Sequence, residues 1–104
     1  MKRFLIVSTL ALTLGAAAAQ AKPAAPYVGQ NLAKTAKITL AQATKSALTA
    51  RPGKITDTEL EKEAGGSGLR YSFDITQAGV AYEVGIDAQT GKVLENAAEG
   101  KNPD

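Results

Sequence analysis

The sequence contains no cysteine, no histidine and no tryptophan, and only 5% of its 104 residues are aromatic. Without Cys or His the chain has no disulfides, no thiolate or imidazole zinc ligands, and no Cys nucleophile or Ser/His/Asp relay. A length of 104 residues also limits the protein to one domain, since domains commonly have about 50 to 250 residues. We therefore predict a protein that is not an enzyme, and the sequence assigns no catalytic, cofactor-binding or metal-binding residue.

The N-terminal residues lack charge after a short basic start. Lys2 and Arg3 precede an uncharged, largely apolar run over residues 4–21, which ends in the small-x-small pattern Ala-Gln-Ala at residues 19–21. This arrangement is typical of a secretory signal peptide, so we predict cleavage after residue 21 and export to the periplasm or the extracellular space. A membrane anchor is the alternative, but the run is alanine-rich and lacks flanking aromatic residues. No stable membrane span is expected once the segment is removed.

The rest of the chain has no excess of charge of either sign. The whole sequence has twelve Lys and Arg and ten Asp and Glu, so loss of Lys2 and Arg3 with the signal peptide leaves ten of each. A formally neutral chain without a basic stripe gives no reason to expect a nucleic-acid partner. The sequence leaves the oligomeric state open.

Residues 22–37 show no sustained helical or strand periodicity and include two prolines and a glycine. This composition predicts a flexible linker, followed by a folded domain at residues 38–95. A few isolated apolar residues in the linker either dock on the edge of the domain, serve a partner or have no role. They are Tyr27, Val28 and Leu32.

A helix start is predicted at Leu40. Thr39 and Gln42 have the spacing of a capping box, in which each side chain accepts a hydrogen bond from the other residue's backbone N–H. Pro52 and Gly53 end the helix, because the residue before a proline disfavours the helical conformation. The apolar stripe between these limits is narrow and mostly alanine, which lets the helix lie close to a sheet. Its members are Leu40, Ala43, Ala47, Leu48 and Ala50.

Alternating apolar and polar residues predict strands after the helix. Residues 54–63 form a weakly apolar strand with Thr56, Thr58 and Leu60 on one face, and its charges suit the edge of a sheet. A four-residue connection over residues 76–79 then joins two stronger strands and pairs Ile75 with Val80. Eight large apolar side chains of these two strands share one face: Leu69, Tyr71, Phe73, Ile75, Val80, Tyr82, Val84 and Ile86.

The opposite face of this hairpin is expected to be solvated, because it carries polar and small residues. Its members are Arg70, Ser72, Asp74, Ala81, Glu83 and Gly85. A slip of one residue would reverse both faces, so the pattern specifies which side is buried. The predicted fold class is α+β, with one N-terminal helix packed on a three- to four-stranded antiparallel β-meander.

A tight turn is predicted after the hairpin at Asp87 and Gly91. The Asp87 side chain is expected to cap the turn, and Gly91 to adopt the left-handed backbone conformation beyond it. A short last strand follows over residues 92–95, and residues 96–104 form a polar tail.

The order of these elements and two short motifs resemble the PepSY domain family. The resemblance extends over about residues 38–95 and is most specific in the run Tyr-Glu-Val-Gly-Ile-Asp-Ala-Gln-Thr-Gly-Lys-Val at residues 82–93. The helix exit Arg-Pro-Gly-Lys at residues 51–54 supports it. PepSY domains are known from propeptides of secreted metallopeptidases and from bacterial envelope proteins. The resemblance therefore implies a module that restrains peptidases or binds a partner, and it supplies no catalytic residue.

The leading hypothesis is an exported, non-enzymatic binding module that binds or inhibits a peptidase or another envelope protein. Its expected contact surface is the polar sheet face or an edge strand, to which a partner segment adds a strand. The candidate partner-binding residues are Arg70, Ser72, Asp74 and Glu83.

Two alternatives belong to other functional classes. An envelope protein that senses or binds a small ligand or a divalent cation would use the carboxylates Asp74, Glu83 and Asp87, and without His or Cys it would favour hard cations. An enzyme is the least favoured alternative: Tyr71, Tyr82 and the carboxylates are groups that can transfer protons, but no pocket follows from their spacing.

Overall fold

A computed structural model describes residues 25–99, and the structural statements below concern this range. The chain forms a 3-10 helix (Gln30–Thr35), the α-helix α1 (Leu40–Ala50) and four strands, β1 (Lys54–Lys62), β2 (Leu69–Gln77), β3 (Val80–Asp87) and β4 (Val93–Ala98). The strands pair antiparallel in the order β1-β2-β3-β4, and α1 contacts one face of the sheet. The predicted α+β meander is confirmed.

The signal-peptide prediction concerns residues that precede the described range. The predicted signal peptide, residues 1–21, lies outside the described residues. Within residues 25–99, none of the helices combines the length and the apolar character needed to cross a bilayer.

Helix α1 begins where the capping box predicts. The Gln42 N–H donates to Thr39 Oγ1 over 3.1 Å, and the Thr39 N–H donates to Gln42 Oε1 over 2.9 Å. These bonds satisfy two of the backbone donors that the first helical turn leaves free. Ala43 and Ala47 are fully buried, so the alanine stripe allows close contact between helix and sheet.

Arg51 joins the end of α1 to three strands. Its Nη1 donates to Gln77 Oε1 over 2.9 Å, and its Nε donates to Asn96 Oδ1 over 3.0 Å. Its guanidinium carbon also lies 3.7 Å from the centroid of the Tyr82 ring, a cation–π geometry. The helix exit is thereby fixed against β2, β3 and β4.

The hydrophobic core lies between α1 and the sheet. Phe73 and Tyr71 are 1% exposed, and the Tyr71 hydroxyl donates to the Ile38 carbonyl over 2.8 Å. Burial, together with the neighbouring Tyr27, raises the pKa of Tyr71 above its usual value. The buried apolar residues are Ala43, Ala47, Leu60, Leu69, Tyr71, Phe73, Ile75, Val84, Ile86 and Ala88.

The β2–β3 hairpin differs from the predicted register by two residues. Ile75 pairs with Tyr82, not with Val80. The connection is a two-residue turn of Ala78 and Gly79, whose φ angles of 50° and 80° suit the type I′ turn favoured by twisted hairpins. A shift of two residues leaves each side chain on its predicted face but moves Val80 to the end of the hairpin, where it is 42% exposed.

A bulge in β1 changes the predicted face of one residue. The register shifts between Ile55 and Asp57, so that Ile55 packs against the core. Thr56 was expected to share a face with Leu60; instead it is exposed, and its hydroxyl donates to the Asp74 carbonyl over 3.3 Å. The alternation is therefore regular only beyond the bulge.

Strand β4 is longer than the predicted strand at residues 92–95. It continues to Ala98, which pairs with Tyr82, and so it includes three residues of the predicted polar tail, 96–104. Strand β3 is long enough to pair with residues 96–98, so β4 continues through them. The sequence did not indicate this, because the adjacent alanines 97 and 98 show no alternation of apolar and polar residues.

The expected linker, residues 22–37, also differs from expectation over its described part. Tyr27 and Leu32 pack against the core, and residues 30–35 form the 3-10 helix. The Val28 carbonyl accepts a hydrogen bond of 2.9 Å from the Leu60 N–H of β1. This segment therefore docks on the edge of the domain instead of acting as a flexible linker.

Candidate functional site

The sheet face opposite α1 forms an open groove of about 550 Å³, here called the acidic groove. All four strands contribute, because side chains alternate across each strand and one alternate set faces this side. Seven of the ten Asp and Glu residues of the chain line it. Its residues are Asp57, Glu59, Glu61, Ser72, Asp74, Glu83, Glu95, Ala97, Ala98 and Glu99.

The strand register places like charges opposite each other in this groove. Asp57 pairs with Asp74, and Asp74 pairs with Glu83 on the other side. Like charges directly opposite on neighbouring strands are destabilising. Residues 25–56, which include α1, contain no Asp or Glu. The near-neutral chain is thus strongly polarised, with its negative charge collected on one face.

Three carboxylates form the centre of the acidic groove. Asp74, Glu83 and Glu99 are half-buried, and one oxygen from each lies within 4.8 Å of the others. Partial burial, followed by the negative charges of four neighbours, raises the pKa of Glu83 to about 7; the neighbours are Glu95, Asp74, Glu99 and Glu61. A side-chain hydrogen bond with Asp74, with burial next in size, raises the pKa of Glu99. The groove therefore gains its full negative charge only above neutral pH.

Sequence reasoning missed Glu99, because it falls in the predicted tail. Its N–H donates to the Ala81 carbonyl over 2.9 Å, which continues the antiparallel pairing one residue beyond β4. Strand parity would have placed Glu99 on the same face as Glu95 if the predicted strand had been extended from residue 95 to residue 99.

Arg70 was expected to be solvated but is only 7% exposed. Its Nη1 lies 3.2 Å from Glu95 Oε1 in a salt bridge, and its Nη2 donates to the Ala64 carbonyl over 3.1 Å. Its Nε–H is buried and has no partner among residues 25–99. Gly85 allows this position, since a Cβ there would lie 3.1 Å from Nη1. Arg70 therefore holds one carboxylate at the groove margin instead of offering a free charge.

Ser72 was also expected to be solvated and is likewise 7% exposed. Its hydroxyl donates to Glu61 Oε2 over 2.8 Å. The four candidate partner-binding residues therefore lie on one face but divide into two pairs. Arg70 and Ser72 are buried and hold the carboxylates of Glu95 and Glu61, respectively. Asp74 and Glu83 are only half-buried and line the groove.

Asp87 lies outside the acidic groove and organises two loops. Its carboxylate accepts hydrogen bonds from the Ser67 N–H (2.6 Å) and hydroxyl (2.9 Å), the Gln89 N–H (2.8 Å) and the Thr90 N–H (3.1 Å). Burial acts to raise the pKa of Asp87, but these bonds outweigh it and lower the pKa to about 2. Gly91 follows with φ of 83°. The cation-binding set proposed from sequence does not assemble around Asp87; Glu99 takes that place beside the other two carboxylates.

The two tyrosines considered for proton transfer lie away from these carboxylates. Tyr71 is buried in the core with its hydroxyl bonded to the Ile38 carbonyl, and Tyr82 lies under the guanidinium of Arg51. Both project from the sheet face that meets α1. The arrangement required by the enzymatic alternative, tyrosines together with carboxylates, is therefore not formed by these residues.

A comparison with known protein families gives one match, which covers the folded domain. The family model "Peptidase propeptide and YPEB domain", PepSY, matches residues 37–96, which is more than half of the chain. The protein belongs to the PepSY family, as its resemblance predicted. PepSY domains are generally non-catalytic modules of the propeptide or inhibitor type. No curated protein and no solved structure matches the chain.

Proposed function

We propose that this protein is an exported, non-enzymatic binding module whose acidic groove binds a basic surface of a protein partner. The observation that carries the proposal is the collection of seven carboxylates in one groove. Opposed like charges lower the stability of a sheet, so folding alone gives no reason for them. Membership of the PepSY family makes a peptidase the leading candidate partner.

The groove offers a physical reason for partner binding. A Lys or Arg placed between Asp74, Glu83 and Glu99 would relieve their mutual repulsion. The electrostatic contribution of that residue to the binding free energy is therefore more favourable here than beside an isolated carboxylate. Binding would also favour the ionised form of Glu83, whose pKa is about 7 in the free protein. Affinity for a basic partner therefore increases as the pH rises through 7.

Export is part of the proposal for two reasons. The basic start and apolar run of residues 2–21 are typical of a signal peptide, and PepSY domains occur in exported proteins. An envelope partner would meet the protein after export.

Affinity capture from an envelope extract tests this function. Wild type should retain a partner, the double variant Asp74→Asn/Glu83→Gln should lose it, and Glu63→Gln should behave as wild type because Glu63 is exposed and lies outside the groove. A captured peptidase is then assayed for inhibition by the wild-type protein. Equal capture by wild type and the double variant would exclude the acidic groove as the contact surface.

Divalent-cation binding is the second candidate function, supported by the closeness of the three central carboxylates. Carboxylate oxygens suit hard cations such as Ca²⁺ and Mg²⁺. Calorimetric titration with each chloride salt should give heat that Glu99→Gln abolishes and Glu63→Gln leaves unchanged. The absence of heat with the wild-type protein would exclude this function.

A further inference from the structure

The two edges of the sheet are covered differently. At β1, the Val28 carbonyl accepts a hydrogen bond from the Leu60 N–H, and Val28 forms a parallel bridge with Glu59. Gly29 has φ of 85° and approaches so closely that a Cβ there would collide with the Leu60 carbonyl. The N-terminal segment therefore occupies the middle of this edge.

Strand β4 has a neighbour on one side only within the described part of the chain. The hydrogen bond from the Glu99 N–H to Ala81 identifies the positions that pair with β3, because bonded and non-bonded positions alternate in antiparallel strands. By this alternation the backbone N–H and C=O groups of Asn96 and Ala98 face away from β3. These groups are available to another strand.

The side chains of β4 do little to prevent such pairing. Natural sheet edges are commonly protected by charges, prolines or bulges. Strand β1 has a bulge and five charged residues. The pairing of β4 with β3 is also irregular between Val93 and Glu95, but residues 95–98 pair without a break, include one charged residue and end in three exposed residues. Glu95 is that single charge, and the Arg70 salt bridge already holds it on the groove side.

We propose that the edge of β4 accepts an extended segment of the protein partner as a fifth strand, with alternate Lys or Arg side chains of that segment over the acidic groove. This proposal rests on the proposed function and specifies its partner chemistry. Backbone hydrogen bonds would supply affinity, and the alternation of side chains would supply specificity.

The spacing of groove residues along β4 fits this partner. An added strand lies about 4.8 Å away, and every second residue of both strands faces the same side. Glu95 and Glu99 would then lie beside alternate residues of the segment, with the small side chain of Ala97 between them. Long basic side chains at those positions can reach both carboxylates and extend toward Asp74 and Glu83.

A second copy of this chain is a poorer occupant of the same edge. Antiparallel pairing of two β4 strands through Asn96 and Ala98 would join the acidic grooves of the two copies on one face, and pairing about Ala97 would place each Glu95 opposite the Glu99 of the other copy. Opposed carboxylates destabilise such a pair. Charge complementarity therefore favours a basic partner segment over self-association.

The test uses the full chain and two fluorescent synthetic peptides of identical composition. One alternates its lysines, Thr-Lys-Val-Lys-Thr-Lys-Val-Lys, and the other groups them, Lys-Lys-Lys-Lys-Thr-Val-Thr-Val. Fluorescence anisotropy should show about 3- to 10-fold tighter binding of the alternating peptide, since an added strand places all four of its lysines on the groove side but only two of the grouped peptide's, and two further opposite-charge pairs have about this effect. Amide NMR should place the largest shifts at Asn96 and Ala98.

Variants distinguish the contribution of backbone pairing at the β4 edge from the contribution of the groove's negative charge. Ala98→Pro removes an outward N–H that makes no bond to β3, and it should weaken binding of the alternating peptide about 3- to 10-fold. Ala98→Thr retains that N–H and should bind as wild type. Glu99→Gln should weaken both peptides and reduce the salt dependence, while Glu63→Gln should change neither. Circular dichroism melting of each variant verifies the fold.

The outcomes distinguish this proposal from the proposed function. Equal binding of the two peptides, or shifts confined to the groove without the β4 amides, would overturn strand addition while leaving groove binding intact. Loss of strand addition together with unchanged capture by Asp74→Asn/Glu83→Gln would overturn both. A dimer in light scattering that Ala98→Pro dissociates would assign the edge to a second copy and overturn the basic-segment proposal.

Discussion

The two faces of the sheet are built from the same alternation but are stabilised by opposite means. On one face Tyr71, Phe73, Val84 and Ile86 exclude water beneath an alanine-lined helix. On the other, carboxylates of neighbouring strands face each other across the register. The first face accounts for the folding of the chain, whereas the second lowers its stability. This difference indicates which surface is available for function.

The largest effect is expected at the centre of the buried face. Phe73→Ala should lower the free energy of unfolding by about 3 to 5 kcal/mol, because a fully buried ring is replaced by a cavity. Equilibrium urea unfolding measures this loss. The matched control is Glu59→Ala on the acidic face, which should stay within about 0.5 kcal/mol of wild type. A loss below about 1 kcal/mol for Phe73→Ala would contradict the core described above.

A smaller loss of stability is expected on substitution of Asp87, whose carboxylate holds two loops together. Asp87→Asn should cost about 2 to 3 kcal/mol, since it weakens charge-assisted hydrogen bonds to a buried carboxylate. The folded pKa of about 2 lies below the ordinary value of 3.8, so the stabilisation is present above about pH 4 and lost as the pH falls through 2. Urea unfolding should show a difference in the free energy of unfolding between wild type and Asp87→Asn at pH 7 that closes at pH 2; an equal difference at both pH values would contradict this prediction.

A gain in stability is expected at the centre of the acidic groove. The folded pKa of Glu83, about 7, lies above its ordinary value of 4.5, so the folded state binds this proton more tightly than the unfolded state. Stability attributable to Glu83 is therefore full below pH 4.5 and lost as the pH rises through 7. Glu83→Gln should stabilise the protein by about 1 kcal/mol at pH 8, after allowance for solvent screening, and by almost nothing at pH 4.5.

Thermal unfolding at the two pH values checks this prediction. The gain at pH 8 should shrink in 0.5 M NaCl, because salt screens partly exposed charges. Glu63→Gln provides the control for removal of one negative charge outside the groove. A pH-independent gain for Glu83→Gln would show that carboxylate repulsion is not its cause.

The smallest effect concerns the turn that sets the hairpin register. Ala78 has φ of 50°, a left-handed conformation that costs a residue with a Cβ about 1 kcal/mol. Ala78→Gly should stabilise the hairpin by up to about 0.5 kcal/mol, since the greater freedom of glycine in the unfolded chain offsets part of the gain. Ala78→Val should destabilise it. Urea unfolding of both variants tests the turn, and the reverse order would contradict it.

Local patterns predicted the buried face well. The capping box at Thr39 marked the start of α1, and period-two alternation from Leu69 to Ile86 identified the core residues of β2 and β3. These signals depend on neighbours in sequence. The register error of two residues arose because alternation fixes the face of a side chain but not the length of the turn.

The acidic groove was less predictable, because its shape depends on strands that meet only in the folded sheet. Asp74 and Glu83 were assigned to the correct face by parity. The burial of Arg70 depends on Gly85 and on Glu95 from β4, which alternation within one strand does not reveal. Glu99 was missed because an alanine-rich end of a strand resembles a tail.

The docked segment at Val28 and Gly29 has a consequence for self-assembly. Fibre growth by stacking of sheets edge to edge requires two open edges on each molecule, so that every added copy presents a new one. Here the β1 edge is already occupied along its middle by the chain's own backbone. We therefore expect association through β4 to end at a closed pair or a single complex and not to continue through β1.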